Sequence, residues 1–271
     1  MSEHSKIEWC DATWPVVAGC TKVSAGCDNC YAIRDSRRLG GNPNPKISAA
    51  YGGTAAMQNG RLNWTGVVRP LPERLDWPLR WRKPRRIFVC NESDLFHEAV
   101  PDDFIKLVLR LCVGAPQHTF QILTKRAKRM LQIMCDSQHC DFFGDSWARR
   151  NAQILDSLHN RSPQGFPVST TWRSTNIWLG VSVEDQKTAD ERIPLLLQTP
   201  AAVRFVSYEP ALGPVDFKHY LINWSHFGGK WGSLHQLIAG GESGPGARPS
   251  HPNWFRSARD QAVAVGVSFF F

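Results

Sequence analysis

The chain has no run of about 18 apolar residues, so no membrane-spanning helix and no membrane partner are expected. Its first residues, Met1-Ser-Glu-His-Ser-Lys6, are polar and lead straight into Ile7-Glu-Trp9, without the charged and then apolar leader of a secreted protein. Internal repeats of fixed period are missing, which argues against solenoids and propellers. Low-complexity tracts are missing too, and no motif of nucleic-acid recognition stands out. These absences lead to the expectation of a cytoplasmic protein. There thiols stay reduced, and a cysteine cluster favours metal over disulfides.

What is present is enough for a substantial core. The 271 residues suffice for one large domain or two small ones, and 42% are hydrophobic against 21% charged. The formal charge of +8 permits contact with phosphates, though it is equally that of a basic soluble protein. The compact basic patch is Arg80-Trp-Arg-Lys-Pro-Arg-Arg86, with an aromatic residue inside it.

A rhythm runs along the chain: a short β-type run, a polar cluster at its end, then a helical stretch. Strands are expected at about Ala12 to Gly19, Arg86 to Cys90, Thr119 to Leu123, Asn176 to Ser182, Val203 to Ser207 and Leu237 to Ala239. A seventh begins at Val267. Helices are expected over Asp28 to Leu39, after Pro101, after Arg126 to about Cys135, and over Trp147 to Leu158, Asp185 to Leu197 and Asn253 to Val265. Residues 40–84, rich in glycine and proline, read as a loop-rich insertion with a small strand at Leu62 to Val68. Such an insertion is either a lid or a solvent-covering loop.

Strands separated by helices argue for parallel β-α units. The expected fold class is α/β, a partial (β/α) barrel of about six parallel strands in a single domain over 1–271. An open doubly wound sheet is the alternative. The chain ends within an apolar run, Ser268-Phe-Phe-Phe271, which reads as a truncated C-terminus.

In parallel α/β folds the site lies at the carboxyl ends of the strands. Those ends carry Cys20, Cys27 and Cys30; Asn91, Ser93 and Asp94; Thr124, Lys125 and Arg126; Ser182 and Glu184; Ser207 and Glu209; and Gly240, Gly241 and Glu242. The candidate ligand contacts are therefore Ser93, Asp94, Lys125, Ser182, Glu184, Ser207, Glu209, Gly240, Gly241 and Glu242. The glycines suit close backbone approach to a ligand or an ordinary turn. Asp94 and His97 are either an acid/base pair or a helix cap beside a surface histidine. The eleven tryptophans read mainly as packing residues rather than base-stacking platforms.

Cys20, Cys27 and Cys30 stand at C-x6-C-x2-C spacing, and the other five of the eight cysteines form no comparable cluster. Three thiolates converging on one centre leave three readings open. A structural zinc needs a fourth ligand, and no cysteine or histidine follows close after Cys30; Cys10 or a distant residue would have to supply it. A redox dithiol at Cys27 and Cys30 leaves Cys20 idle. An iron–sulfur cluster on three thiolates leaves one iron open to a small molecule.

The segments Ile7-Glu-Trp9, Asp11-Ala-Thr-Trp14, Gly19-Cys20-Thr-Lys-Val-Ser24, Gly26-Cys27-Asp-Asn-Cys30-Tyr-Ala32, Ser93-Asp-Leu-Phe-His97, Thr124-Lys-Arg126, Trp178-Leu-Gly-Val-Ser182, Ser207-Tyr-Glu-Pro210 and Gly240-Gly-Glu-Ser-Gly-Pro-Gly-Ala-Arg248 resemble the bacteriophage-type three-cysteine-motif family. That family occurs in phages, prophages and bacteria and is grouped with the radical S-adenosylmethionine (SAM) enzymes. The resemblance implies a [4Fe-4S] cluster on Cys20, Cys27 and Cys30 and S-adenosylmethionine on its open iron. It further implies cleavage of that ligand to a 5'-deoxyadenosyl radical that abstracts hydrogen, with an electron-donor protein as partner. A nucleic acid or nucleotide is the expected substrate class; the rival expectation is a non-catalytic, zinc-containing nucleic-acid-binding protein. Three features depart from the superfamily pattern. The first cysteine gap is six residues rather than three, Asn29 precedes the last cysteine where an aromatic is usual, and Gly-Gly-Glu follows the sixth strand rather than the second.

Overall fold

A computed structural model describes residues 5–139, 175–221 and 233–271. The helix expected over Trp147 to Leu158 lies outside the described residues. Seven parallel strands form one sheet: β1 (Ala12–Trp14), β6 (Arg86–Val89), β7 (Thr119–Thr124), β8 (Ile177–Ser182), β9 (Val203–Tyr208), β10 (Gln236–Ala239) and β11 (Ser268–Phe270). They lie side by side in the order of the sequence, with every pairing parallel. The order never reverses, so the switch point that defines a doubly wound sheet is missing from the described strands. Among those strands β1 and β11 are the two edges.

A sequential order of parallel strands sends each right-handed crossover to the same side of the sheet. That side carries Ile87, Val89, Phe120, Ile122, Leu179, Val181, Val206, Tyr208 and Leu237. These residues share one large core with α4 (Asp102–Val113), α5 (Ala127–His139), α6 (Gln186–Gln198) and α8 (Pro252–Ala264). Local chemistry starts these helices where expected. Pro101 and two aspartates open α4, and Asp185 forms a reciprocal capping box with Thr188 on α6.

The other side of the sheet holds a smaller cluster of Trp9, Cys10, Phe88, Phe205 and Ile238. Phe88 and Phe205 sit on β6 and β9, three places apart, which is about 14 Å across a flat sheet. Yet both meet the indole of Trp9, at centroid distances of 4.6 Å and 6.3 Å. The sheet is therefore curved, and the N-terminal segment fills its concave side. Gly180 on β8 makes room for this packing, since a Cβ there would stand 2.5 Å from the Phe205 ring.

Several boundaries differ from expectation. The first strand is cut at Pro15, which cannot donate a ladder bond, giving β1 and a separate β2 (Val17–Ala18) paired with β5 (Arg69–Pro70). The first helix, α1 (Tyr31–Gly40), starts at Tyr31 with Cys30 as its N-cap rather than at Asp28, because a 3-10 turn (Ala25–Cys27) precedes it. The insertion is structured. Asn44 caps α2 (Pro45–Tyr51), β3 (Ala55–Gln58) pairs with β4 (Arg61–Trp64) as a hairpin, and α3 (Trp77–Arg80) follows. The short helix α7 (Lys218–Leu221) completes the described elements. No helix among the described residues is long and apolar enough to cross a membrane.

Trp9→Ala removes the ring that both Phe88 and Phe205 contact. It should lower unfolding free energy by about 3–5 kcal/mol, read as a fall in urea midpoint; an unchanged midpoint would refute the packing described.

Candidate functional site

All seven strands run the same way, so their carboxyl ends share one rim. Each expected polar cluster lies there except the cysteine loop, which leaves β2 and is tied to that rim by a bridge between Gly19 and Ser93. Ser93 spends its hydroxyl on this join, donating to the Val17 carbonyl at 2.8 Å.

Three acids hold the cysteine loop at three points. Asp94 is buried and accepts from Thr124 Oγ1 (2.8 and 2.9 Å), the Lys125 amide (3.2 Å) and Arg126 Nη1 (3.1 Å). Arg126 in turn donates to Thr21 Oγ1 at 2.8 Å and approaches Cys20 Sγ at 3.8 Å. Glu184, 1 % exposed, accepts from Ser24 Oγ at 2.9 Å, from Arg192 Nη1 at 3.2 Å and from Lys125 Nζ. Gly26 lies over this carboxylate so closely that a Cβ would stand 2.5 Å from its Cγ. Glu242 accepts from Asn29 Nδ2 at 2.8 Å and from Arg248 at Nε and at its backbone amide, both 2.9 Å. Arg248 also donates to the Ala25 carbonyl at 2.8 Å.

Asp94, Glu184 and Glu242 were expected as ligand contacts, but their oxygens are engaged in holding the loop, and Lys125 is paired with Glu184. Glu209 differs. Ser207 donates to its Oε2 at 2.9 Å, and among the described residues no cation pairs with it. Burial raises its pKa, with the Ser207 bond opposing. Gly240 allows this placement, since a Cβ there would stand 2.5 Å from Glu209 Oε1.

Two adjoining cavities occupy the rim. One, of about 130 Å³, is lined by Cys20, Cys27 and Cys30 together with Ser93, Asp94 and Arg126. The other, of about 300 Å³, is lined by Ser207, Glu209, Gly241 and Glu242, with Ile7 and Trp9 on its apolar side. Cys30, Lys125 and Ser182 face both. Glu184 and Gly240 are the two expected contacts that line neither of these cavities.

Burial pushes the Cys20 thiol up to about 12; the Asp94 charge adds to this and Arg126 opposes it. Burial also raises Cys30, offset by backbone amides at the start of α1 and by Lys125. Cys90, buried and held at a positive φ of 58°, lines the same cavity as the three cysteines, whereas Cys10 does not. Among the described residues no three His, Cys, Asp or Glu side chains converge on a single-ion site.

Asp94 and His97 are not an acid/base pair. His97 is buried, contacts Thr21 Oγ1 through Nε2 at 2.8 Å, and has its pKa lowered by burial and then by Arg126. Nor is it a surface histidine. Arg126, Arg192, Arg248 and Asn29 are the residues whose roles sequence reasoning missed, because each acts through a partner on another element.

Residues 4–271 match the family described as Protein of unknown function (DUF5131). No curated protein and no solved structure matches the chain.

Two outcomes follow from the clamps. Glu184→Gln leaves Lys125 and Arg192 without their shared anion and should cost about 3–5 kcal/mol in chemical denaturation. Arg248 holds the Glu242 carboxyl down to about 2, first through its hydrogen bond. A depressed pKa stabilises the fold above the unfolded value, about 4.3, and that gain is lost as pH falls through 2. Arg248→Met should therefore be less stable than wild type at pH 6, with the gap narrowing below about pH 4; a gap independent of pH would refute the assignment.

Proposed function

We propose that this chain, which belongs to the DUF5131 family, is a radical SAM-type enzyme. In this reading Cys20, Cys27 and Cys30 hold a [4Fe-4S] cluster at the rim of a partial (β/α) barrel. The observation that carries it is the pair of adjoining cavities, one faced by three thiols and the next by Ser207 and Glu209, with Cys30, Lys125 and Ser182 facing both. The sequential strand order and the curvature around Trp9 support the barrel.

The donor set suits the group. Sulfur donors select iron–sulfur clusters or zinc. Three thiols share one cavity, the number a cluster with one open iron takes from the protein. A cluster spreads its ligands over several irons. Burial disfavours the thiolates, so a strongly positive centre is what would hold them ionised.

When bound, a cluster with one open iron supplies the electron that cleaves S-adenosylmethionine and so the means to abstract hydrogen. The chain's own residues then have distinct tasks. Glu209 offers a cationic ligand a carboxylate that has no cationic partner among the described residues, and Ser182 and Ser207 line the same cavity. Ile7, Trp9, Phe88 and Leu123 exclude water from it. Glu184, Asp94 and Glu242 keep the thiols in place. A cytoplasmic setting with an electron-donor protein completes the proposal.

Cys90 favours a second reading, because a fourth thiol on the same cavity is what a non-catalytic, zinc-containing nucleic-acid-binding protein would use. Anaerobic reconstitution with iron and sulfide separates the two. The radical reading expects broad visible absorption that dithionite bleaches, and 5'-deoxyadenosine once S-adenosylmethionine is added. Cys20→Ala, Cys27→Ala and Cys30→Ala should each lose both signals, while Cys90→Ser should keep them with a lowered Tm. Zinc as the bound metal, lost from Cys90→Ser as readily as from Cys20→Ala, would sink the radical reading.

A further inference from the structure

A third cavity, of about 800 Å³, opens beside the two at the rim and shares Asn29 and Cys30 with the Glu209 cavity. Four pieces of chain wall it. These are the cysteine loop, the first turn of α1, the tip and inner strand of the β3–β4 hairpin, and the Pro245–Arg248 stretch. Its lining carries four cations, Lys22, Arg34, Arg61 and Arg248, against the single carboxylate of Asp28.

The cations differ in how far they are engaged. Arg248 is committed to Glu242. Lys22 meets Asp28 at 3.4 Å with both side chains in solvent, a weak pair. Arg34 makes one long bond, 3.4 Å to the Ser243 carbonyl. Arg61 is exposed and forms no ion pair among the described residues. Amides alternate with these charges on the same walls. Asn29 Nδ2 is committed to Glu242 and the Gly246 carbonyl, Gln58 Nε2 donates to the Trp64 carbonyl, and Asn63 Oδ1 accepts from the Trp64 amide. The side-chain oxygens of Asn29 and Gln58, the Asn63 Nδ2 and the Asn59 amide are therefore what a ligand would meet.

The basic run Arg80 to Arg86, which stands out in the sequence, offers less. Arg80 pairs with Asp76, Arg86 pairs with Asp11 at 3.1 Å, and Arg85 lies over the Trp81 ring at 5.0 Å. Of its charged residues, only Arg82 and Lys83 are exposed without a described role.

We infer that the cleft between the cysteine loop and the β3–β4 hairpin binds a phosphate-bearing substrate, a nucleotide or a single-stranded nucleic acid. Lys22, Arg34 and Arg61 meet the phosphates, and the amides meet base edges. Guanidinium groups match phosphate oxygens, and paired amide donors and acceptors match the polar edges of bases. The volume falls within the range of ligand sites. The shared Asn29 and Cys30 put the bound base next to the rim cavities. This inference rests on the radical SAM reading for its chemistry, but the binding itself does not require a cluster. It also gives the insertion a purpose, because the hairpin supplies the outer wall.

The test is fluorescence anisotropy with a labelled single-stranded oligonucleotide, on reconstituted and on cluster-free full-length protein. Binding should weaken with salt at a log–log slope of about −2, as three phosphate contacts on a single strand give. The double variant Arg34→Ala/Arg61→Glu should lose on the order of tenfold in affinity and flatten that slope. The control Arg82→Glu/Lys83→Glu should match wild type. Displacement of the probe by a mononucleotide assigns a nucleotide substrate, and displacement by unlabelled oligonucleotide alone assigns a strand. Full affinity in the cleft variant, or equal loss in the control, overturns the inference. S-adenosylmethionine cleavage by the same wild-type preparation reports on the cluster reading separately, so either can fail while the other stands.

Discussion

The buried carboxylate of Glu184 is the point on which the rim depends. It sits at the end of β8, at the centre of the sheet, and is 1 % exposed. A lone ion there would cost several kcal/mol in lost hydration. Two cations and a hydroxyl meet it instead, and each comes from a different element: Lys125 after β7, Arg192 on α6 and Ser24 in the cysteine loop. Because the charge must be matched, the loop has to close over it. Gly26, with no Cβ, is what allows the chain to pass that near. Loop position is thus set by electrostatics from below rather than by the loop's own turns.

The same logic separates the polar rim residues into two kinds. Asp94 and Glu242 repeat the Glu184 pattern at either side, each pairing with an arginine that also reaches loop atoms near Cys20 or Ala25. Such saturated acids have little left for a ligand. Glu209 alone of the four proposed carboxylate contacts has just a neighbouring serine, and its raised pKa reflects a carboxylate kept from water without a compensating cation among the described residues. A group in that condition gains when a cationic ligand arrives, whereas the clamping acids would have to give up existing bonds.

The strand rhythm was legible because short apolar runs bounded by polar clusters, such as Ile177 to Val181, read as buried strands, and helix starts were marked by Pro101 and Asp185. The rim was legible as composition. Its division of labour was not, since Ser24 and Glu184 are 160 residues apart and Asn29 and Glu242 are 213 apart. A sequence shows which acids stand at strand ends but not which arginine faces them. The insertion was misread for a different reason. Its prolines and glycines signal breaks, yet Pro45 stands at a helix start and Asn59-Gly60 turns a hairpin, positions where those residues favour order. The N-terminal segment shows the same limit: Trp9 carries no periodic pattern, and its place on the concave face depends on Phe88 and Phe205 curving toward it.

Curvature, clamps and cleft are linked through one further consideration. A parallel sheet with all its helices on one side leaves its other face open, and something must cover it. Here the inner end is filled by Trp9 and its neighbours, so the open volume is confined to the rim. The cysteine loop, α1 and the hairpin then roof that rim rather than the sheet itself. Of the three rim cavities, the smallest holds the thiols, the next a carboxylate with no cationic partner among the described residues and the widest the exposed guanidinium groups, a gradient from apolar depth to charged mouth. In the reading proposed here that gradient is what orders the three ligands: metal innermost, its cationic ligand beside it, and an anionic substrate approaching from solvent.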